Sequence, residues 1–206
     1  MHLVLIVNSA TYKKAKRSMT FISINTSLDD KILLEKFKNP ESKNYAFNLI
    51  VRKYQERVYW LVRKMVISHE DADDLTQNVF IKVWSKLDTF KGNSQLFTWI
   101  YRVATNECLN FLNKKKRKYF LPINDVEKEL GEKLTADAYI SGDEIQLKLQ
   151  KALLKLPNKQ RLVFNMKYFE EMKYSEISET LGTSVGALKA SYHLAVKKIE
   201  EQLIEN

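Results

Sequence analysis

The chain has 206 residues, 45% of them hydrophobic, with a formal net charge of +9 and a single cysteine. That length holds one ordinary domain or two small ones, and one cysteine excludes an internal disulfide framework and fits a reducing compartment. The basic balance, with a pI near 9.4, favours an anionic partner, either nucleic acid or an anionic membrane surface. Glycine (5) and proline (3) are scarce, so helices throughout are the simplest expectation.

Taken in order, the chain begins with an apolar run, residues 3–7, too short to span a bilayer. Lys13, Lys14, Lys16 and Arg17 follow that run instead of preceding it, the reverse of a secretory signal. No stretch reads as a transmembrane helix, so no membrane insertion is expected and the cytoplasm is the expected location. Met19 is a second candidate start, which would make residues 1–18 an upstream extension. A short helix is expected over residues 27–37, capped by Ser27 or Asp29, with Ile32, Leu33 and Phe37 inward. Ser42 can cap the next helix, residues 45–66, whose Phe47, Ile50, Val51, Tyr54, Val58, Leu61, Val62 and Met65 keep helical spacing.

Ser68 and Asp71 form a capping-box variant that opens the third helix. Glu70, Asp71, Asp73 and Asp74 occupy its start, where the helix dipole favours acids. Leu75, Val79, Val83 and Leu87 make one stripe, with Phe80 and Trp84 beside it. A turn at residues 91–94 leads into a helix over 95–117 that ends in a run of basic residues, 114–118. Residues 118–142 carry Pro122, Gly131, Gly142 and mixed charge without a stripe, and read as a linker.

The second unit opens with Ile145, Leu149, Ala152, Leu153 and Leu156 on one helix, and Pro157 sits where the next begins. Leu162, Val163, Met166 and Phe169 face inward on that one. A short helix over 174–181 closes at Gly182, and Thr183 or Ser184 opens the last, whose expected buried seam is Val185, Leu188, Tyr192, Ala195 and Ile199. Residues 175–188 thus have helix-turn-helix form, with Gly186, Lys189, His193 and Lys197 outward and Lys197, Lys198 and the helix start placed for phosphates. An ordinary helical hairpin with a solvated lysine face is the competing explanation.

Residues 71–117 combine an acidic start, aromatics (Phe90, Phe97, Trp99, Tyr101), then Arg102, Asn106, Asn110 and the basic run. Aromatics stack on unpaired bases and a basic run tracks a phosphate backbone; the same residues also suit a packed core with a solvated helix end. Enzyme chemistry is thin. His2, His69 and His193 are scattered, and His69-Glu70 lacks the second histidine of a zinc-protease helix. The acid cluster lacks EF-hand spacing, no glycine loop cradles phosphate, and Cys108 reads as a small core residue. No catalytic residue, metal or cofactor is expected.

Two motifs carry a family resemblance. The string Asp71-Ala72-Asp73-Asp74-Leu75-Thr76-Gln77-Asn78-Val79-Phe80, continuing to Trp84, is the first. The second is Phe90, Gly92, Ser94 and Leu96, with Thr98-Trp99-Ile100 and Arg102-Val103-Ala104-Thr105-Asn106. Together they resemble bacterial RNA polymerase sigma factors of the ECF (extracytoplasmic function) group over residues 45–117 and 143–203.

The resemblance implies an all-α fold of two small helical domains joined by a flexible linker. Residues 1–20 become an extension, 21–117 a region-two domain, 118–142 the linker and 143–206 a region-four helix-turn-helix domain. It implies a non-catalytic specificity subunit that brings core polymerase to promoters and helps open the minus-ten element, capturing a flipped base in the loop before the second motif's helix. Asp73, Asp74, Leu75, Gln77, Asn78, Phe80 and Trp84 would bind the clamp helices of the largest polymerase subunit. Lys91, Asn93, Ser94, Thr98, Trp99, Arg102, Asn106, Asn110, Lys114 and Lys115 would meet the minus-ten element. Ser184, Gly186, Lys189, Ser191, His193, Lys197 and Lys198 would meet the minus-thirty-five element. Promoter DNA is the second implied partner, and an anti-sigma factor is one the family often uses.

Some positions depart from the family pattern. Asn78 stands where the family usually has Glu, and Leu96 where an aromatic often sits. Ser191, Leu194 and Val196 replace residues that are often Arg, which shifts the phosphate grip toward Lys189, Lys197 and Lys198. The rival readings are a stand-alone helix-turn-helix regulator, an acid-cluster nuclease using Asp71, Asp73 and Asp74, and a scaffold that binds only proteins.

Overall fold

The computed structural model describes residues 28–118 and 144–204. The expected N-terminal extension (1–20), and all but the first residue of the expected linker (118–142), lie outside them. Among the described residues every regular element is helical. They are α1 (Asp30–Lys38), α2 (Lys43–Val66), α3 (His69–Lys86) with a 3-10 turn at Leu87–Thr89, and α4 (Leu96–Lys118). The second unit contains α5 (Glu144–Leu154), α6 (Asn158–Phe164) running into a π turn at Asn165–Phe169, α7 (Tyr174–Leu181) and α8 (Val185–Ile204).

Local chemistry sets most boundaries. Asp29 caps α1 by accepting from the Lys31 N–H at 3.2 Å. Ser68 Oγ accepts from the Asp71 N–H at 3.3 Å, as its spacing in the sequence implies. Ser42 differs: its hydroxyl donates back to the Lys36 carbonyl at 2.7 Å, and α2 starts without a side-chain cap. Gly182 ends α7 at φ 63, a left-handed conformation that glycine adopts without a Cβ clash. Ser184 opens α8 by accepting from the Ala187 N–H at 3.3 Å.

The first unit packs α2 against α1, α3 and α4. Ile50, Val58, Leu61, Val62 and Met65 of α2 are wholly buried, against Val79 and Val83 of α3 and Ile100, Tyr101, Ala104 and Cys108 of α4. Phe37, Phe47 and Trp84 close one corner edge to face, Trp84 lying 5.4 Å from Phe37 and 4.9 Å from Phe47. Ile32, expected inward, is exposed: the nine-residue α1 offers one buried stripe, and Leu33 and Phe37, four apart, fill it. The second unit has its own core of Leu149, Ala152, Leu153, Leu156, Phe164, Phe169, Ala195 and Ile199. Val185, expected in its seam, is 38% exposed, because the last helix reaches its packing partners only from Leu188 onward.

The two units also pack against each other. The first unit's core extends into Leu162, Val163, Met166, Met172, Ile177 and Leu188 of the second. Two arginines cross this junction in opposite directions. Arg161, 2% exposed, donates to the Met65 carbonyl at 2.9 Å, at the C-terminal end of α2. Arg102 of α4 donates through Nε to the Thr180 carbonyl at 3.2 Å and through its terminal nitrogen to the Glu179 carbonyl, at the C-terminal end of α7. Each unit thus places a cation where the other has unpaired helix-end carbonyls and the negative end of a dipole. Lys64 and Glu170 add an ion pair at 2.7 Å between side chains only 11% and 12% exposed, and Tyr101 donates to the same carboxylate at 3.4 Å. Burial, and then the Glu170 charge, push the Tyr101 hydroxyl well above its ordinary pKa.

Arg161→Met keeps the apolar stem but leaves the Met65 carbonyl unpaired, so it should cost about 1–3 kcal/mol in denaturant unfolding; unchanged stability would contradict the packing described. Burial pushes the Cys108 thiol up to about 12. A thiol-specific reagent at mildly alkaline pH should therefore label Cys108 only on unfolding, and rapid labelling of the native chain would contradict its placement.

Candidate nucleic-acid interface

Three surfaces collect the residues singled out by the sequence. On α3, Asp74, Gln77 and Asn78 are exposed on one face. Ile81, one turn further along that face, is 64% exposed. In the sequence it adjoins Phe80 and lies off the buried stripe; its spacing of seven from Asp74 is the signal that places it on the same face. Leu75 and Phe80 are buried in the core, and Trp84 is half-buried in its aromatic corner, 5.5 Å beneath Lys43 Nζ. These three hold α3 in place, with Leu75 and Phe80 turned away from its surface. Asp73 lies 3.4 Å from His69 Nε2.

The second surface is α4 and the turn before it. Arg102, Asn106, Asn110 and Lys114 recur every four residues and are all exposed, as are Lys91 and Asn93 in the turn; Ser94 is half-buried. Trp99 is half-buried against Phe90, ring centroids 5.4 Å apart, at the turn end of this stripe. Thr98, four residues before Arg102 on the same row, is 2% exposed and faces the core, because a row spaced by four drifts around a helix of 3.6 residues per turn. Phe97 packs inward too, 4.1 Å from Tyr101 and 3.8 Å from the Arg57 guanidinium. Lys115 turns back toward Asp71, 3.8 Å away, with its side chain 11% exposed. The result is a polar and basic stripe about four turns long, one end aromatic and the other cationic. Its first cation, Arg102, is occupied by α7.

The third surface is α8. Gly186, Lys189, His193 and Lys197 point outward as their spacing implies, and Ser191 is half-buried. Ser184 is exposed and caps the helix. Lys189 Nζ lies 6.0 Å from the Tyr174 ring centre, Lys197 Nζ 3.9 Å from Glu201, and Lys198 Nζ 3.5 Å from Gln160 Oε1. The packing of α7 on α8 through Ile177 and Leu188 leaves the N-terminal half of α8 outward, the arrangement by which a helix-turn-helix enters a major groove. Among the described residues no three His, Cys, Asp or Glu side chains gather as a metal site, and no helix is long and apolar enough to cross a membrane.

Comparison with known proteins gives the family. The Sigma-70 region 2 family matches residues 50–118 and the Sigma-70 region 4 family matches residues 146–199. The ECF RNA polymerase sigma factor SigW of Bacillus subtilis (strain 168) is 32% identical over 166 residues, which cover 77% of this chain and 89% of that protein. The ECF RNA polymerase sigma-E factor of Escherichia coli (strain K12) is 27% identical over 190 residues, 87% of this chain and 97% of that one. Among solved structures, CnrH in complex with the cytosolic domain of CnrY aligns with a TM-score of 0.61 at 22% identity, covering 86% of this chain and 98% of that one. The sigma factor RpoE of Bartonella quintana, in complex with the anti-sigma factor NepR, aligns at 0.57 with 20% identity, covering 76% and 96%. These two likenesses concern the fold. With α2–α4 matching region 2, α5–α8 matching region 4, and a relative matched over most of its length, the chain belongs to the ECF group of RNA polymerase sigma factors.

Proposed function

We propose that this sigma factor directs promoter-specific transcription initiation through three separate surfaces on two units. Sigma factors are non-catalytic specificity subunits, and this chain acts the same way, by recruitment in the cytoplasm without bond chemistry of its own. The exposed face of α3, with Asp74, Gln77, Asn78 and Ile81, docks on the clamp helices of core polymerase. The stripe Arg102, Asn106, Asn110 and Lys114, with Lys91, Asn93 and Trp99 at its turn end, holds the opened minus-ten strand. The outward face of α8 meets the minus-thirty-five duplex. The observation that carries this reading is the i, i+4 stripe on α4, because cations and amides there follow an aromatic turn, as single-strand binding requires. It sits one helix away from an acidic face of opposite chemistry.

In this reading residues 118–142 link a polymerase and minus-ten unit to a minus-thirty-five unit. A tether between two weak binding sites raises the effective concentration of the second once the first is engaged. The packing of the units adds a condition. Arg102 has one guanidinium, and in the closed chain the α7 carbonyls accept from it. For the donors that α7 holds, Nε and one terminal nitrogen, to turn to a phosphate, α7 has to leave. We therefore assign the closed arrangement to the chain before promoter opening, and separation of the units to assembly with polymerase. Two similar folds were solved in complex with CnrY and NepR; by analogy, a partner that favours the closed arrangement would act here as an anti-sigma factor.

A stand-alone regulator is the lesser reading, since it leaves the exposed face of α3, with Asp74, Gln77, Asn78 and Ile81, without a partner. Ile81→Glu should leave helicity unchanged and weaken binding to core polymerase by about tenfold or more, the loss expected when one buried aliphatic side chain is replaced by a charge. Wild-type affinity for that variant would remove α3 from the docking surface. Run-off transcription by core polymerase from a host promoter should require the chain, and a product that forms equally without it would overturn the reading.

A further inference from the structure

The outward side of α8 carries two parallel stripes, and they differ in chemistry. One is Lys189, His193 and Lys197; the other is Gly186, Ala190 and Leu194, each set four residues apart and exposed throughout. Ala187, also exposed, flanks the second stripe, while the exposed Val185 heads the first, four residues before Lys189. Leu194 is 47% exposed in the middle of this face. It is absent from both hydrophobic clusters, although its neighbours Tyr192 and Val196 pack against the second. Single exposed apolar residues need no explanation. A continuous apolar stripe along the N-terminal half of a groove-reading helix, flanked by lysines, does.

The code of the major groove supplies one. Guanine offers two acceptors suited to Arg or Lys, adenine is read by Asn or Gln, cytosine by Asp or Glu, and thymine presents a C5-methyl group to apolar side chains. The outward face of α8 from Val185 to Lys198 has no Arg, Asn, Gln, Asp or Glu. It has lysines, one histidine, the apolar stripe and the half-buried Ser191, with Ser184 at the helix start. A serine hydroxyl serves several bases, so adenine and cytosine have no dedicated reader on this face, whereas thymine has several.

We propose that Ala190 and Leu194 read thymine methyl groups in the minus-thirty-five element, with Lys189 on guanine and Lys197 on phosphate. The inference rests on the assignment of α8 to that element. It predicts an element in which thymines, on either strand, dominate the positions that discriminate, with a guanine toward the end met by Lys189. The flexible stem of Lys189 reaches the groove edge beside Ala190, whose methyl leaves room for a base to approach. Leu194, one turn on, presents its branched end to the next step. Such contacts give shape and methyl discrimination with few hydrogen bonds, so the protein depends on polymerase contacts for much of its hold on DNA.

The test uses the full chain with core polymerase on a promoter library randomised over the minus-thirty-five element, followed by run-off transcription from the most enriched template. Replacing thymine by deoxyuridine in that element removes only the methyl groups, and should cut transcript by about fourfold for each contacted thymine. Leu194→Ala should lose a similar factor on the thymine template and little more on the deoxyuridine template, because the two changes remove one contact. Equal transcription from both templates, or full additivity of the two changes, overturns the methyl reading while leaving the sigma assignment intact. Transcription indifferent to scrambling the whole element overturns the assignment of α8 itself. Circular dichroism of Leu194→Ala, an exposed position, should match wild type; a loss of helicity would place Leu194 in the core and also overturn the inference.

Discussion

The closed architecture depends on two helix ends capped by arginines from the opposite unit. Helix C-termini leave carbonyls that need donors, and a cation there also meets the dipole. Arg161 supplies the end of α2, and Arg102 supplies the end of α7. Neither is a surface salt bridge of the kind that contributes almost nothing. Arg161 is buried, and a buried cation left without its acceptor is strongly unfavourable. The pair therefore makes the junction specific: the units fit in one register, where both carbonyl sets find their donors and Lys64 finds Glu170. The apolar contacts from Leu162, Val163, Met166 and Ile177 add area, but area alone would permit sliding.

The same contacts link fold to function. Arg102 belongs to the stripe that runs through Asn106 and Asn110 to Lys114, so the residue that ties α7 down is also the first cation available to a DNA strand. Under the proposed function, the chain is held closed by a group that the DNA strand also uses. Its outward surfaces on α3 and α8 stay exposed meanwhile, so polymerase docking and duplex contact do not have to wait for the units to part. Under the proposed function, docking and duplex binding on open surfaces come first, and strand capture follows release of the α7 contacts of the arginine.

Much of this was legible in the sequence. Helical periodicity located α2, α3 and α4 within a few residues, Ser68 and Gly182 marked real boundaries, and Asp71–Phe80 together with Thr98–Asn106 carried the family. What stayed hidden was direction, since periodicity ranks faces without saying how many are covered. Thr98 falls inside because the α4 row, spaced by four, drifts around the helix and turns inward by that point, and Phe80, adjacent to the α3 stripe, falls inside because neighbouring helices cover a wider arc than one stripe. Val185 falls outside because α8 extends a turn past its support, and Ile81 had the same apolar signature as its buried neighbours. The role of Arg161 was invisible for a different reason. Its partner is a backbone carbonyl 96 positions away, and no local pattern encodes such a pairing.

Lys64 and Glu170 provide the most direct measurement, since their 2.7 Å ion pair is within reach of a zero-length carbodiimide that joins an amine to a carboxylate. The full chain would be treated alone, then assembled with core polymerase on a promoter it opens, and the linked peptides mapped by mass spectrometry. The account predicts a Lys64–Glu170 amide in the free chain that disappears in the open complex. Persistence of that link in complexes that go on to make transcript would show that the units need not part, and its absence from the free chain would contradict the closed arrangement itself.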